Sequence, residues 1–213
     1  MSPRSRPLHV IGLTGNIATG KSTVTQMLAR RGACIIDCDR LAHESMRAGS
    51  EVHQRIVARF GAGVLGADGE ISRQALGAIV FDDPAALADL EAIIHPWVVR
   101  ETRRRLAACA APAAVVEAIK LLEAQMHADC DEIWVVTAPH AQQLARLMER
   151  RGMSLEEAKR RIAAQPPQED KAARADLVIE NAGSLQELEA QVAAAWERLM
   201  ADRNAQDQEA TEQ

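Results

Sequence analysis

Apolar positions along the chain fall in short runs separated by longer amphipathic stretches. Leu8-His9-Val10-Ile11-Gly12-Leu13 reads as a short, mostly apolar strand that runs straight into a glycine-containing loop. Residues 22–30 then alternate at helical spacing, with Val24, Met27 and Leu28 on one side and Gly32 placed to end the helix. A second apolar run, 33–36, stops at Asp37-Cys38-Asp39. Strand, loop, helix, strand is the opening of an α/β sheet covered by helices.

After Arg40 no run of comparable strand quality occurs until Ala113. The pattern predicts helices over 50–60 and 72–81, separated by Gly61-Ala62-Gly63 and Asp68-Gly69, and a longer helix over 84–109 interrupted near His95-Pro96. A helical tract of that length exceeds a minimal crossover, so 50–110 is expected to be a substrate-binding insertion within a domain spanning 8–200. Strand character returns over 114–119 and 132–136, with a short helix fitting between them. Two basic helices follow over 139–150 and 155–165, with Ser154 placed as a cap and Glu157 completing a capping box. A last strand, Leu177-Val178-Ile179, passes through Asn181-Ala182-Gly183 into a helix over 185–199. The polar tail 201–213 lacks an apolar face and is expected to be frayed or disordered.

Composition narrows the classes of function. With 213 residues, 47% hydrophobic and 26% charged, the chain is sized and balanced as one soluble domain carrying an insertion. Aromatic residues make up only 2% and Tyr is absent, which argues against a stacking platform for single-stranded nucleic acid. Lys and Arg number 25 against 30 Asp and Glu, a net charge of -5. Such a field attracts neither nucleic acid nor anionic lipid, so any phosphate-bearing ligand must be held by local donors. Cys34, Cys38, Cys109 and Cys130 show no CxxC spacing, which favours free thiols in a reducing compartment. Residues 1–9 carry Arg4 and Arg6 but no long apolar run, and a cytoplasmic location is expected.

The strongest chemical signal is Gly15-Asn16-Ile17-Ala18-Thr19-Gly20-Lys21-Ser22, which fits G-x-x-x-x-G-K-[ST] with a strand before it and a helix after it. Glycines let such a loop wrap phosphate closely, Lys21 reaches the outer phosphates, and the Ser22 hydroxyl, followed by Thr23, is the expected ligand of Mg²⁺. The loop by itself leaves kinase, GTPase and ATPase open. Asp37 and Asp39 follow the second strand, and a spacing of two along extended chain points both carboxylates one way. Asp39 is the preferred base for an acceptor hydroxyl, and Asp37 a second acceptor-side carboxylate. Arg146 and Arg150 share one helical face, where their mutual repulsion is relieved if phosphate sits between them. A helix pair that closes over the site would also exclude water. Arg73, Arg104 and His95 are candidate contacts to the acceptor, and the turn at Asn181 and Gly183 could bring backbone groups against a ligand. The fold expected is a three-layer P-loop nucleoside-triphosphate hydrolase fold with a parallel sheet, a helical insertion and a helical lid. No Asn-Lys-x-Asp for guanine occurs, which weakens a GTPase reading, while a kinase for another small hydroxyl compound remains the nearest rival.

The sequence resembles the dephospho-CoA kinase family along nearly its whole length, from about residue 8 to residue 192. The resemblance is carried by Ile11-Gly12-Leu13-Thr14-Gly15, the phosphate loop, Ile36-Asp37-Cys38-Asp39 with Ala42-His43, and Gly69-x-Ile71-x-Arg73. It continues through Leu90-Glu91-x-Ile93-Ile94-His95-Pro96, Gln143-x-x-Arg146-Leu147-x-x-Arg150, Arg161-Ile162-x-x-Gln165 and Val178-Ile179-x-Asn181-x-Gly183. It implies ATP-dependent, Mg²⁺-assisted phosphorylation of the ribose 3'-hydroxyl of dephospho-CoA, giving coenzyme A and ADP by direct in-line transfer, with Asp39 matching the base. It further implies acceptor contacts near Arg73 and His95, a lid over 139–165, and adenine near the Asn181 turn. The implied partners are dephospho-CoA and ATP, with no nucleic acid or membrane, in a monomer or weak homo-oligomer. One stretch departs from the family: Ala118-Ile119-Lys120-Leu121-Leu122-Glu123-Ala124 stands where an Asp-x-Pro-Leu-Leu-Phe-Glu-like segment is usual, and Lys120 is expected to supply a positive acceptor contact instead.

Overall fold

The computed structural model describes residues 8–81 and 83–211, so Arg4, Arg6 and the last two positions of the polar tail lie outside the described residues. The chain divides into two compact units, one formed by residues 1–35 with 110–213 and the other by 36–109.

The first unit is built on a sheet of order β2-β3-β1-β4-β5. β1 (His9–Thr14) lies at its centre, parallel to both β3 (Ala113–Glu117) and β4 (Glu132–Thr137), and β4 pairs in parallel with β5 (Leu177–Glu180). β2 (Cys34–Asp37) forms one edge and leads into the second unit. Because β1 has neighbours on both sides that come later in the chain, the loop after β1 leaves the sheet at its topological switch point, where open parallel sheets bind ligands. α1 (Lys21–Arg30) and α9 (Leu185–Thr211) cover one face, burying Val24, Met27 and Leu28 with Leu188, Val192 and Trp196 against Ile11, Leu13, Val115 and Trp134. α6 (His140–Arg151), α7 (Leu155–Ala163) and the short α8 (Gln168–Ala172) follow β4 in turn.

α9 continues to Thr211, beyond the end expected near 199, because residues 201–211 contain neither Gly nor Pro to stop it. The expected short helix between β3 and β4 is a series of turns with a 3-10 segment, Met126–Asp129. Ser154 caps α7 by accepting the Glu157 N–H at 3.2 Å, but the Glu157 carboxylate pairs with Arg161 at 3.7 Å, so only half of the expected capping box is made.

The second unit is helical. α2 (Cys38–Ser45), α3 (Glu51–Phe60) and α4 (Arg73–Val80) pack on α5 (Pro84–Ala107), and Ser50, Ser72 and Asp83 cap α3, α4 and α5. The unit therefore starts ahead of residue 50 and includes α2. α5 is one continuous helix of 24 residues, not two pieces broken at His95-Pro96. Pro96 removes the donor for the carbonyl of Ala92, but Ala92 is exposed, where water can serve that oxygen. Buried Leu90, Ile93, Ile94 and Val98 on both sides of the proline hold the helix through it.

Candidate active site

The loop between β1 and α1 takes its shape from two glycines. Gly15 has φ of 149° and Gly20 φ of 101°, values that side chains rarely adopt. A Cβ on Gly15 would collide with the carbonyl oxygen of Val136, and one on Gly20 with the amide of Asn181. Ala18 also has positive φ, at 60°, a left-handed conformation that a residue with a Cβ holds only under outside constraint. Gly20 is the N-cap of α1 and offers no side-chain cap, so the first N–H groups of α1 are left for an anion. The buried Lys21 ammonium donates to the carbonyls of Gly15 at 2.8 Å and Asn16 at 3.4 Å, which keeps its charge beside the loop.

These elements border a cleft of about 340 Å³ whose lining includes Ile17, Ala18, Gly20, Lys21, Ser22, Thr23, Asn181 and Gly183. Ser22 is exposed there, and its hydroxyl has no hydrogen bond among the described residues. Arg146, Arg150 and Arg151 line the same cleft from α6.

The two arginines paired by sequence behave differently. Arg146 donates to the carbonyl oxygens of Ala18 and Thr19 at 3.1 Å each, to Asn181 O at 3.2 Å and to Gln142 Oε1 at 2.9 Å. Its guanidinium thus bolts the phosphate loop to α6 and to the turn after β5. Burial, and then the neighbouring Arg150 charge, draw it below the ordinary arginine range. Arg150 makes no hydrogen bond or ion pair among the described residues. Asn181 is likewise structural in part: its Nδ2 donates to Thr19 O at 2.7 Å and its own N–H to Thr137 O at 2.9 Å.

Glu117, the last residue of β3, is a buried carboxylate one position ahead of Ala118 that was not assigned a role from sequence. It is 8% exposed, and its Oε2 accepts the Thr25 hydroxyl of α1 at 2.7 Å. The family-like aspartate was sought at Ala118, which is buried and donates its N–H to Leu13 O. A carboxylate ending a strand beside β1 is the signal that could have identified Glu117. Lys120 is exposed in the turns that follow; its neighbour Ile119 lines the cleft, but Lys120 is not among the lining residues. The turn itself is held by Lys171, which is 4% exposed, donates to Ile119 O and pairs with Glu123 at 3.1 Å.

In the helical unit the reading of Asp37 and Asp39 as two side chains of one strand is corrected. β2 ends at Asp37, and Asp39 lies in the first turn of α2. Residues two apart on a helix do not share a face. Asp37 Oδ1 accepts the Arg40 N–H at 2.8 Å, so Asp37 is the N-cap of the helix on which Asp39 stands. Arg73, the first residue of α4, lines a cavity of about 210 Å³ with His43, Arg47 and Glu70. His43 and Arg47 were not singled out as ligand contacts; His43 stands in the last turn of α2 and Arg47 just past its C-cap, Met46. His95 is half-buried on α5 and is not among the residues lining that cavity. Arg104 is taken by Glu101, with both nitrogen-oxygen contacts at 2.7 Å.

A dephospho-CoA kinase family model matches residues 9–187. The chain is 46% identical over 192 residues to a dephospho-CoA kinase of Geobacter sulfurreducens, covering 89% of this chain and 98% of that protein. Among solved structures, one from Thermus thermophilus superposes with a TM-score of 0.80 at 36% identity, covering 91% of this chain and 99% of the other. A dephospho-CoA kinase from Campylobacter jejuni superposes with a TM-score of 0.66 at 27% identity, covering 89% and 96%.

Proposed function

This chain belongs to the dephospho-CoA kinase family, and we propose that it transfers the γ-phosphoryl group of ATP to the ribose 3'-hydroxyl of dephospho-CoA, releasing coenzyme A and ADP. The observation that carries the phosphoryl-transfer half is the cleft lined by a helix N-terminus without a side-chain cap, Lys21, and Ser22 and Arg150, whose side chains have no partner among the described residues. Backbone N–H groups of the loop and Lys21 take the triphosphate. Mg²⁺ fits the donor set, since it binds mainly through phosphate oxygens and water; Ser22 would supply its protein hydroxyl, and the ion would neutralise charge on the β- and γ-phosphates.

Arg146 holds the loop, leaving Arg150 to meet the transferring group. In the transfer, the acceptor oxygen forms its bond to the γ-phosphorus as the bond to the bridging oxygen of ADP breaks. The hydroxyl proton goes to the Asp39 carboxylate, which Asp37 presents by capping α2. On the acceptor side, Arg73 and Arg47 outnumber the single carboxylate, Glu70, in the lining of their cavity, which suits it to the acceptor's phosphate groups. The small, charged substrates suit an enzyme working in the cytoplasm, as a monomer or weak homo-oligomer. No helix among the described residues is long and apolar enough to cross a membrane.

The test is transfer from labelled ATP to dephospho-CoA with Mg²⁺, beside a panel of nucleosides and nucleotides, with the new phosphate located by mass and phosphorus NMR. Selective 3'-phosphorylation, lost in Asp39→Asn, is expected. Efficient transfer to another panel member and none to dephospho-CoA would leave a kinase with a different acceptor.

A further inference from the structure

We propose that Gln165 is a positioning residue that couples occupancy of the phosphate loop to the segment joining α7 and α8; this rests on the reading that ATP occupies the loop. The Ile17 N–H donates to Gln165 Oε1 at 2.7 Å, and the Asn16 side-chain Nδ2 donates to Pro166 O at 2.8 Å. Two donors of the phosphate loop are thus spent on neutral oxygens roughly 150 residues away in sequence.

The loop needs such a hold. Ala18, the residue after Ile17, keeps a left-handed backbone, and such a conformation persists only where its neighbours over-determine it. Asn16 Oδ1 is buried without a partner among the described residues, so the loop is not satisfied by its own bonds. Fixing the Ile17 N–H fixes the Asn16–Ile17 peptide plane, one residue ahead of Ala18.

Gln165 moves with α7. Its N–H donates to Ile162 O at 3.1 Å, and the Ala164 N–H to Arg160 O at 3.0 Å, extending the last turn of the helix. Pro166 and Pro167 then restrict the chain and donate nothing, so a displacement at Gln165 is passed on to α8. On α8, Gln168 pairs with both backbone groups of Ala138, accepting its N–H at 3.2 Å and donating to its carbonyl at 3.1 Å. Lys171 holds the turn after β3. Residues 165–171 therefore bond to the loops after β1, β3 and β4 while lining none of the ATP cleft themselves. That separation makes the coupling measurable.

The experiment is hydrogen-deuterium exchange on the full chain with and without a non-hydrolysable ATP analogue, in the parent, Gln165→Met and Gln165→Glu. Met keeps the length and removes the acceptor, whereas Glu keeps an oxygen for the Ile17 N–H. In the parent, the analogue should slow exchange both at 15–22 and at 165–172. Gln165→Met should keep protection at 15–22 and lose it at 165–172, with KM for ATP rising about tenfold, the scale of one buried hydrogen bond, and KM for the acceptor unchanged. Gln165→Glu should retain the coupled change. No change at 165–172 in the parent overturns the coupling, as does its persistence in Gln165→Met. Should Gln165→Met fail to fold, Gln165→Ala, which removes the same acceptor without adding bulk, takes its place with the same two outcomes. Absence of protection at 15–22 in the parent would remove the ATP reading instead.

Discussion

The side-chain amide of Asn181 occupies the space that a Cβ on Gly20 would need, and from there it donates to the Thr19 carbonyl at 2.7 Å. The turn after β5 is therefore packed on the phosphate loop at the residue where α1 begins. Gly20→Ala meets two penalties: a backbone angle unfavourable to any residue with a Cβ, and the collision with Asn181. The first alone is worth about 1–2 kcal/mol, or roughly five- to thirtyfold in ATP affinity. Asn181→Ala in the Gly20→Ala background should recover part of the loss by removing the collision. ATP titration of the two single variants and the double variant measures this. Strict additivity would mean that the contact between these residues does not govern the loop.

Arg146 and Arg150 should fail in different ways. Arg146→Ala strips donors from four oxygen atoms, three of them main-chain carbonyls around the phosphate loop. It should lower the thermal midpoint, cost about 2 kcal/mol or more of stability, and weaken ATP binding. Arg150→Ala removes no contact among the described residues and should leave the midpoint in place. Its cost should fall on kcat, by about 100-fold or more, as for other charge-stabilising donors. Thermal melts and steady-state kinetics of both variants separate the roles; equal loss of stability in both would contradict them.

How far the site could be read in advance follows from where each residue's meaning lies. The phosphate loop is legible because its requirements are local: glycines where a Cβ would collide, then a lysine and a hydroxyl on the first turn of the next helix. Leu13 and Val115, or Val24 and Leu28, announce sheet and helix for the same reason, through periods of two and of three to four. Glu117, Gln165 and Lys171 are polar residues whose partners Thr25, Ile17 and Ile119 lie 92, 148 and 52 positions away. Glu117 is marked only by ending a strand and Gln165 only by the Arg161-Ile162-x-x-Gln165 pattern, and nothing near any of the three shows its partner. Asp37 and Asp39 were misread because the change from strand to helix falls between them, and a one-residue shift of that boundary alters which way a side chain points. At Pro96 the local rule for breaking a helix was overridden by packing that only the tertiary structure reveals.

The two aspartates at that boundary can be told apart by mutation. Asp37→Ala removes the side-chain cap of α2, accepted at 2.8 Å from Arg40, and should cost about 1 kcal/mol of stability. Asp37→Ser keeps a capping oxygen and should restore most of it. Asp39→Asn leaves the cap intact and should lower kcat for dephospho-CoA by a factor of about 100 or more, with KM for ATP little changed. Chemical denaturation beside initial rates reads both. An Asp37→Ser enzyme as inactive as Asp39→Asn would give Asp37 a direct part in the chemistry.

Acid stability of the helical unit should depend on Glu101. Hydrogen bonds from Arg104, and then from Arg105, hold its carboxyl well below the ordinary range, at about 2. Arg105 also reaches Glu44 of α2 at 2.8 Å, so the cluster ties α5 to α2. A carboxyl whose pKa is lower folded than unfolded adds stability that is fully present above the unfolded value. That stability is lost as pH falls toward the folded value. The window therefore runs from about 4.5 down to about 2, and pH between 7 and 5 should leave this contribution intact. Glu101→Gln removes the titration and weakens the cluster at neutral pH. Melts of parent and variant should differ by a constant gap between pH 7 and 5, and the gap should narrow from pH 4.5 to 3. Because the Arg104 side chain is 69% exposed, 0.5 M salt should shrink the gap at neutral pH through screening, to about a 4 Å Debye length. A gap that stays constant down to pH 3 would show that the Glu101 carboxylate contributes no pH-dependent stability.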